Sequence, residues 1–157
     1  MNIFTLEQVV EFRKKARENC KKVVFTNGCF DIIHRGHIEY LTEAAKLGNV
    51  LIVGINTDAS VRRIKEKGRP VISEEDRAVI IASLRCVDAV CFFDEDTPSE
   101  LIKSIRPDVL VKGSEYSIEE IVGHEQVLAD GGEVIPIPMV SGKSSTDLIK
   151  RIKELPD

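Results

Sequence analysis

The chain has 157 residues, 43% hydrophobic and 31% charged, with a net charge of −4, enough for one domain with its own core and too few for two. Lys and Arg total 22 against 26 Asp and Glu, which argues against a general nucleic-acid binder, and aromatics at 5% with no Trp leave no stacking surface for single strands. No apolar run approaches the ~20 residues of a membrane helix, and residues 1–11 lack the basic end and apolar stretch of a signal peptide. A cytoplasmic chain with one domain over 1–157 is expected. Cys20, Cys29, Cys86 and Cys91 form no CxxC pair, so no zinc framework is expected, and Cys86 and Cys91 beside or within an apolar run read as buried free thiols.

In chain order, Thr5 with Gln8 reads as a capping box opening a helix over 5–18, a packing element or lid edge in front of the sheet. Five short runs rich in Val and Ile follow, at 22–26, 50–56, 87–93, 109–112 and 133–137. Each is too short for a buried helix and has the apolar content of a parallel strand covered on both faces. Between them lie a helix over 38–47 closed by Gly48 and a looser cap at Ser73 with Asp76. Two further capping boxes fall at Thr97–Pro98 with Glu100, where Pro98 takes the first helical position, and at Ser117 with Glu120. The alternation predicts an α/β fold: a Rossmann-like open parallel sheet of about five strands with helices on both faces. Ligands of such sheets bind beyond the carboxyl ends of the strands, where strand order reverses.

The segment after the first of these runs is Thr26-Asn27-Gly28-Cys29-Phe30-Asp31-Ile32-Ile33-His34-Arg35-Gly36-His37. Two of the three histidines fall at one strand-to-helix turn with two glycines. The free N–H groups and dipole at the helix start favour anions, and two imidazoles there can donate to phosphate oxygens. No third ligand at metal-binding spacing supports zinc.

Later segments point the same way. Asn56-Thr57-Asp58 ends the second run, and Asp58 can cap the next helix. From Arg62 to Arg69 there are five basic residues and one acidic; the run is either a solvated face or, where it meets Gly68 and Pro70, a loop able to fold over an anion. Lys112, directly after a buried strand and before Gly113, sits at the sheet's carboxyl edge as a ligand or as a snorkelling edge lysine. Ser141-Gly142-Lys143-Ser144-Ser145-Thr146 feeds a last helix and makes a second N-terminal anion site.

His34-Arg35-Gly36-His37 matches the HxGH signature of the nucleotidyltransferase superfamily, and the preceding residues resemble the GxFDxxHxGH form of its cytidylyltransferase-like branch. The stretches NTDASVRRIKEKGRPV, EDTPSELIKSIRPDVLVKGSEY and GGEV extend the likeness over 22–153, and the chain is identified as a member of the ADP-heptose synthase adenylyltransferase family. Ser144-Ser145-Thr146 resembles that superfamily's ISTT/ISST motif, with Lys143 in place of the usual leading Ile.

The resemblance implies transfer of AMP from ATP to heptose 1-phosphate, giving ADP-heptose and pyrophosphate for lipopolysaccharide core precursors, with Mg²⁺ accompanying ATP and no protein metal ligands. It assigns catalysis to His34, His37 and Lys112. Nucleotide and phosphates fall to Thr26, Asn27, Gly28, Cys29, Phe30, Gly36, Lys65, Lys67, Arg69, Gly113, Ser144, Ser145 and Thr146. Asp31, Asn56, Asp58 and Arg77 are implied substrate residues, Arg77 being equally explained by a helix-face salt bridge. The alternative is a cytidylyltransferase for glycerol or alditol phosphate. Partners implied are ATP and a sugar 1-phosphate and a separate heptose kinase, with no nucleic acid or membrane expected; the first helix and the exposed end of the sheet allow a homodimer.

Overall fold

The computed structural model describes residues 2–113, 117–138 and 144–155. Among them, six strands form one parallel sheet: β1 (Ile3–Phe4), β2 (Val23–Gly28), β3 (Val50–Asn56), β4 (Ala89–Phe93), β5 (Val109–Gly113) and β6 (Glu133–Ile137), in spatial order β1-β4-β3-β2-β5-β6. The sheet therefore has one strand more than the five expected. β1 was missed because two residues carry no periodicity; it exists through its pairing with β4, Ile3 opposite Val90 and Phe4 opposite Cys91.

Period-two alternation sorts each strand's side chains onto two apolar layers. Val23, Phe25, Ile52, Cys91 and Leu110 face one layer, which holds helices α1 (Leu6–Glu18), α5 (Ser99–Ile105) and α6 (His124–Ala129). Val24, Leu51, Val53, Val90 and Val111 face the other, with α2 (Arg35–Ala45) and α4 (Glu74–Ala82). Short α3 (Asp58–Ile64) follows β3, and α7 (Ser145–Lys153) ends the described chain. α1 is a packing element: Val9 and Ala16 are buried, and Arg13 donates to the Arg106 carbonyl and to Asp108 at 2.8 Å. The same Asp108 accepts from the Val23 amide at 2.7 Å, tying α1 to the start of β2. At Gly48 a Cβ would lie 2.6 Å from the Lys22 carbonyl oxygen, so the turn into β3 has room only for glycine.

Several boundaries move. The Thr5–Gln8 capping box forms as read. α2 starts at Arg35 instead of residue 38, with His34 as its N-cap, so Gly36 and His37 lie in its first turn. Thr57, not Asp58, caps α3, its hydroxyl accepting from the Ser60 amide at 3.1 Å. Ser73 caps α4 through the Asp76 amide. No capping box forms at Thr97: Pro98 is itself the N-cap of α5 and has no side-chain donor or acceptor to offer. Ser117 and Glu120 do form a box, around a single 3₁₀ turn at Ile118–Glu120. Among the described residues no helix is long and apolar enough to cross a membrane.

Candidate active site

β2 is the strand where the order reverses: the chain moves from it to β3 and β4 on one side and returns to β5 on the other. The crevice beyond β2 and β5 is the switch point of the sheet. Lys112 and Asn27 close it, the Lys112 ammonium donating to the Asn27 carbonyl at 3.0 Å and to its Oδ1 at 3.1 Å. Burial pushes the Lys112 ammonium down to about 8, with the charge of Lys65 lowering it further. The lysine is thus a half-buried cation at the crevice rather than a snorkelling surface side chain.

The turn after β2 bends sharply. Phe30 and Ile32 both take left-handed backbone angles, φ 49° and 52°, which a bulky or β-branched residue adopts only under constraint. A Cβ on Gly28 would lie 3.1 Å from the Phe30 ring, so the missing side chain lets that ring, 6% exposed, fold back over the strand end. The Arg77 guanidinium, fully buried, donates to the Cys29 carbonyl at 2.5 Å, to the Ile72 carbonyl at 3.1 Å and to Asp58 at 2.7 Å. Ser145, in the first turn of α7, donates to the Asp31 carbonyl at 2.5 Å. These bonds from other elements hold the strained turn.

The two histidines meet at the start of α2. Their rings stack at 3.9 Å with 25° between planes, and Phe30 meets His37 edge-on at 5.5 Å. The His34 amide donates to His37 Nδ1 at 3.4 Å. Burial, then the neighbouring His34, pushes His37 down to about 4, so at neutral pH its ring is uncharged. With Nδ1 accepting, Nε2 carries the proton and is a donor for an anion.

The basic run divides. Arg62 and Arg63 lie on α3, with Arg63 paired to Asp96 at 2.8 Å on the surface. Lys65 and Lys67 are exposed; the charge of Lys65 acts on both Cys29 and Lys112, while no described contact ties Lys67 to the site. Arg69 is drawn inward, its Nε donating to Asp31 at 2.6 Å. Burial raises the Cys29 thiol, against the lowering effect of Lys65, Arg77, Arg69 and Lys112, so at least three segments bring positive charge to this turn.

Other expected site residues turn out to face the protein. Thr26 is fully buried, its hydroxyl 2.7 Å from that of Tyr40. Asn56 is 3% exposed and donates to Ser60 at 2.9 Å, which in turn donates to the Glu95 carbonyl. The Asp31 carboxylate is fully buried, Asp58 accepts from Arg77, and Arg77 itself has no solvent exposure. These five brace the site. Gly36 is buried in α2 and Gly113 ends β5. Ser144 caps α7 through the Asp147 amide at 3.0 Å, and Thr146 is exposed. Residues 114–116 and 141–143, including Lys143, lie outside the described residues. Ser60 and Tyr40 were not anticipated; the spacing of Ser60 four residues after Asn56 was the available signal. Among the described residues no cluster of three or more His, Cys, Asp or Glu could hold a metal ion.

The cytidylyltransferase-like family profile matches residues 25–151. The chain is 55% identical over 139 residues to the bifunctional protein HldE of Citrifermentans bemidjiense, covering 87% of this chain and 28% of that protein. It is 51% identical over 153 residues to the bifunctional protein HldE of Campylobacter concisus, covering 98% and 30%. It thus spans about three tenths of the length of these relatives. A crystal structure of the lipopolysaccharide core biosynthesis protein from Thermoplasma volcanium superimposes with TM-score 0.67 at 27% identity, over 77% of this chain and 99% of that one. A pantoate-beta-alanine ligase from Francisella tularensis shares the fold, with TM-score 0.61 at 17% identity over 99% of this chain and 78% of that one.

Proposed function

The chain belongs to the cytidylyltransferase-like family, and from that premise we propose that it transfers AMP from ATP to heptose 1-phosphate, releasing pyrophosphate and forming ADP-heptose. The observation that carries this reading is the stacked pair His34 and His37 at the N-terminus of α2, with His37 held neutral and its Nε2 available as a donor, together with a half-buried Lys112 at the switch point. High identity to bifunctional HldE proteins supports the sugar nucleotide as product.

A sugar phosphate is already a nucleophile at neutral pH, so the reaction needs no general base or covalent intermediate. The protein's work is in-line positioning at the α-phosphorus and stabilisation of charge on phosphate oxygens. A neutral donor fits that task. His37 makes the same hydrogen bond across the physiological range, gaining strength as charge develops on the oxygen it faces. Lys112, its ammonium fixed by Asn27, supplies a point charge, and Lys65 and Lys67 extend the positive field outward. The free amides at the starts of α2 and α7 complete the cradle.

Mg²⁺ fits as a companion of the nucleotide. Asp31, the carboxylate of the histidine turn, is spent on Arg69 and two backbone amides, so the ion would be held by ATP phosphates, as this hard cation commonly is. When bound it neutralises phosphate charge. The proposal includes a sugar kinase upstream that places phosphate on the heptose.

Pyrophosphate release, measured with ATP and with CTP against heptose 1-phosphate and glycerol 3-phosphate, tests the reading. Turnover confined to ATP with heptose 1-phosphate is expected. Preference for CTP with glycerol 3-phosphate would assign the chain to the other branch of the family, and ATP binding without turnover with any acceptor would make it a sensor.

A further inference from the structure

The Asp31 carboxylate has no exposed surface, yet it sits three residues before the first site histidine. Its two oxygens accept from Arg69 Nε at 2.6 Å, from the Val71 amide at 2.9 Å and from the Ile72 amide at 3.0 Å. These donors come from 38 to 41 residues away. On its main-chain side the Asp31 carbonyl accepts the Ser145 hydroxyl at 2.5 Å. One residue thus fastens the end of the basic loop and the start of α7 to the histidine turn.

The way Arg69 is held matters. Asp31 takes Nε, and among the described residues no hydrogen bond engages either terminal amine of Arg69, although its side chain is only 13% exposed. A guanidinium gripped at Nε presents its two remaining amines as a fixed fork, the geometry that pairs with two oxygens of a phosphate. A buried carboxylate that is fully hydrogen-bonded cannot also bind a sugar hydroxyl or a metal without breaking that grip. Burial raises the Asp31 carboxyl, but the Val71 and Ile72 amides and Arg69 outweigh it and hold it below the usual carboxylate range, so it stays ionised at neutral pH.

We propose that Asp31 is a positioning residue, not a substrate ligand: it aims Arg69 at the nucleotide phosphates and locks the 69–72 strap to the histidine turn. The inference rests on the nucleotidyltransferase reading and deepens it by assigning the phosphate fork to Arg69. Side-chain preorganisation of this kind acts on binding, so its loss appears in KM for ATP more than in kcat.

The test is a double-mutant cycle between Asp31→Asn and Arg69→Gln, read by pyrophosphate-release kinetics, by titration with inorganic pyrophosphate and by amide hydrogen exchange at Val71 and Ile72. Each single variant is expected to raise KM for ATP and weaken pyrophosphate binding by about tenfold or more, the scale of a lost charge-assisted pair of bonds. Combined, they cost no more than either alone. Asp31→Glu, which keeps the charge, recovers part of the loss. Exchange at both amides quickens in Asp31→Asn but not in Arg69→Gln. Effects that multiply, or an Asp31→Asn enzyme with unchanged KM, overturn the proposal. If Asp31→Asn does not fold, Arg69→Gln alone decides: unchanged pyrophosphate affinity overturns the fork. A wild-type protein that binds pyrophosphate but turns over no nucleotide would sink the functional reading and leave the Asp31 result standing.

Discussion

Arg63 and Arg69 come from one basic run and end in opposite circumstances. Arg63 lies on the outer face of α3, its partners Asp94 and Asp96 exposed and screened by water. Arg69, six residues on, is folded under the loop against a carboxylate with no exposed surface. Arg77 goes further, fully buried against Asp58 and two carbonyls. The contrast teaches that local charge density says little about role; an arginine's role here follows from whether the chain returns to the strained turn after β2.

The contrast breaks most easily at Arg77. Arg77→Met leaves the Cys29 and Ile72 carbonyls and Asp58 without their donor, and stability in urea is expected to fall by about 3 kcal/mol or more. A loss below ~1 kcal/mol would put the clamp in the same class as a surface pair. Next in size is His37→Ala, expected to lower turnover on the order of 10²–10³-fold while the thermal midpoint moves by only a few degrees; near-normal turnover removes that residue from the chemistry.

Lys112 offers a smaller effect with a definite sign. Its folded-state value of about 8 lies below the ordinary 10.5, so its charge disappears as pH rises through 8, and kcat/KM for ATP is expected to fall there. Between those two values the unfolded chain binds more protons at this site than the folded one. Stability attributable to Lys112 therefore grows with pH as activity declines, which appears as the difference between wild type and Lys112→Met. A difference independent of pH from 7 to 10 contradicts the half-buried-cation account. At the small end, Arg63→Ala is expected to leave both kinetics and melting temperature unchanged, whereas Lys67→Ala weakens ATP use without harming folding. Equal silence from both would make the exposed part of the run a solvated face.

What could be read in advance follows from range. The histidine pair and the Thr5–Gln8 cap are contained within three or four residues, where spacing alone carries the signal. β1 could not be read, because Ile3–Phe4 becomes a strand only by meeting Val90–Cys91, far away in the chain. Of the braces, Thr26, Asn56 and Asp58 stand out in the sequence at strand ends and Arg77 in the helix after Ser73, but composition cannot say whether a polar side chain points outward to a ligand or inward to a carbonyl. Asp31 is the sharpest instance: its motif marked it, and only the returning 69–72 segment showed what occupies its oxygens.

The sheet's two borders carry a consequence for self-association. One border is β1, only two residues long; the other is β6, which has Pro136 opposite Lys112. A two-residue strand offers almost no ladder to extend, and a proline withdraws one main-chain donor from the other rim. Both rims are thereby poor templates for strand addition, which protects a Val- and Ile-rich sheet from growing into fibrils.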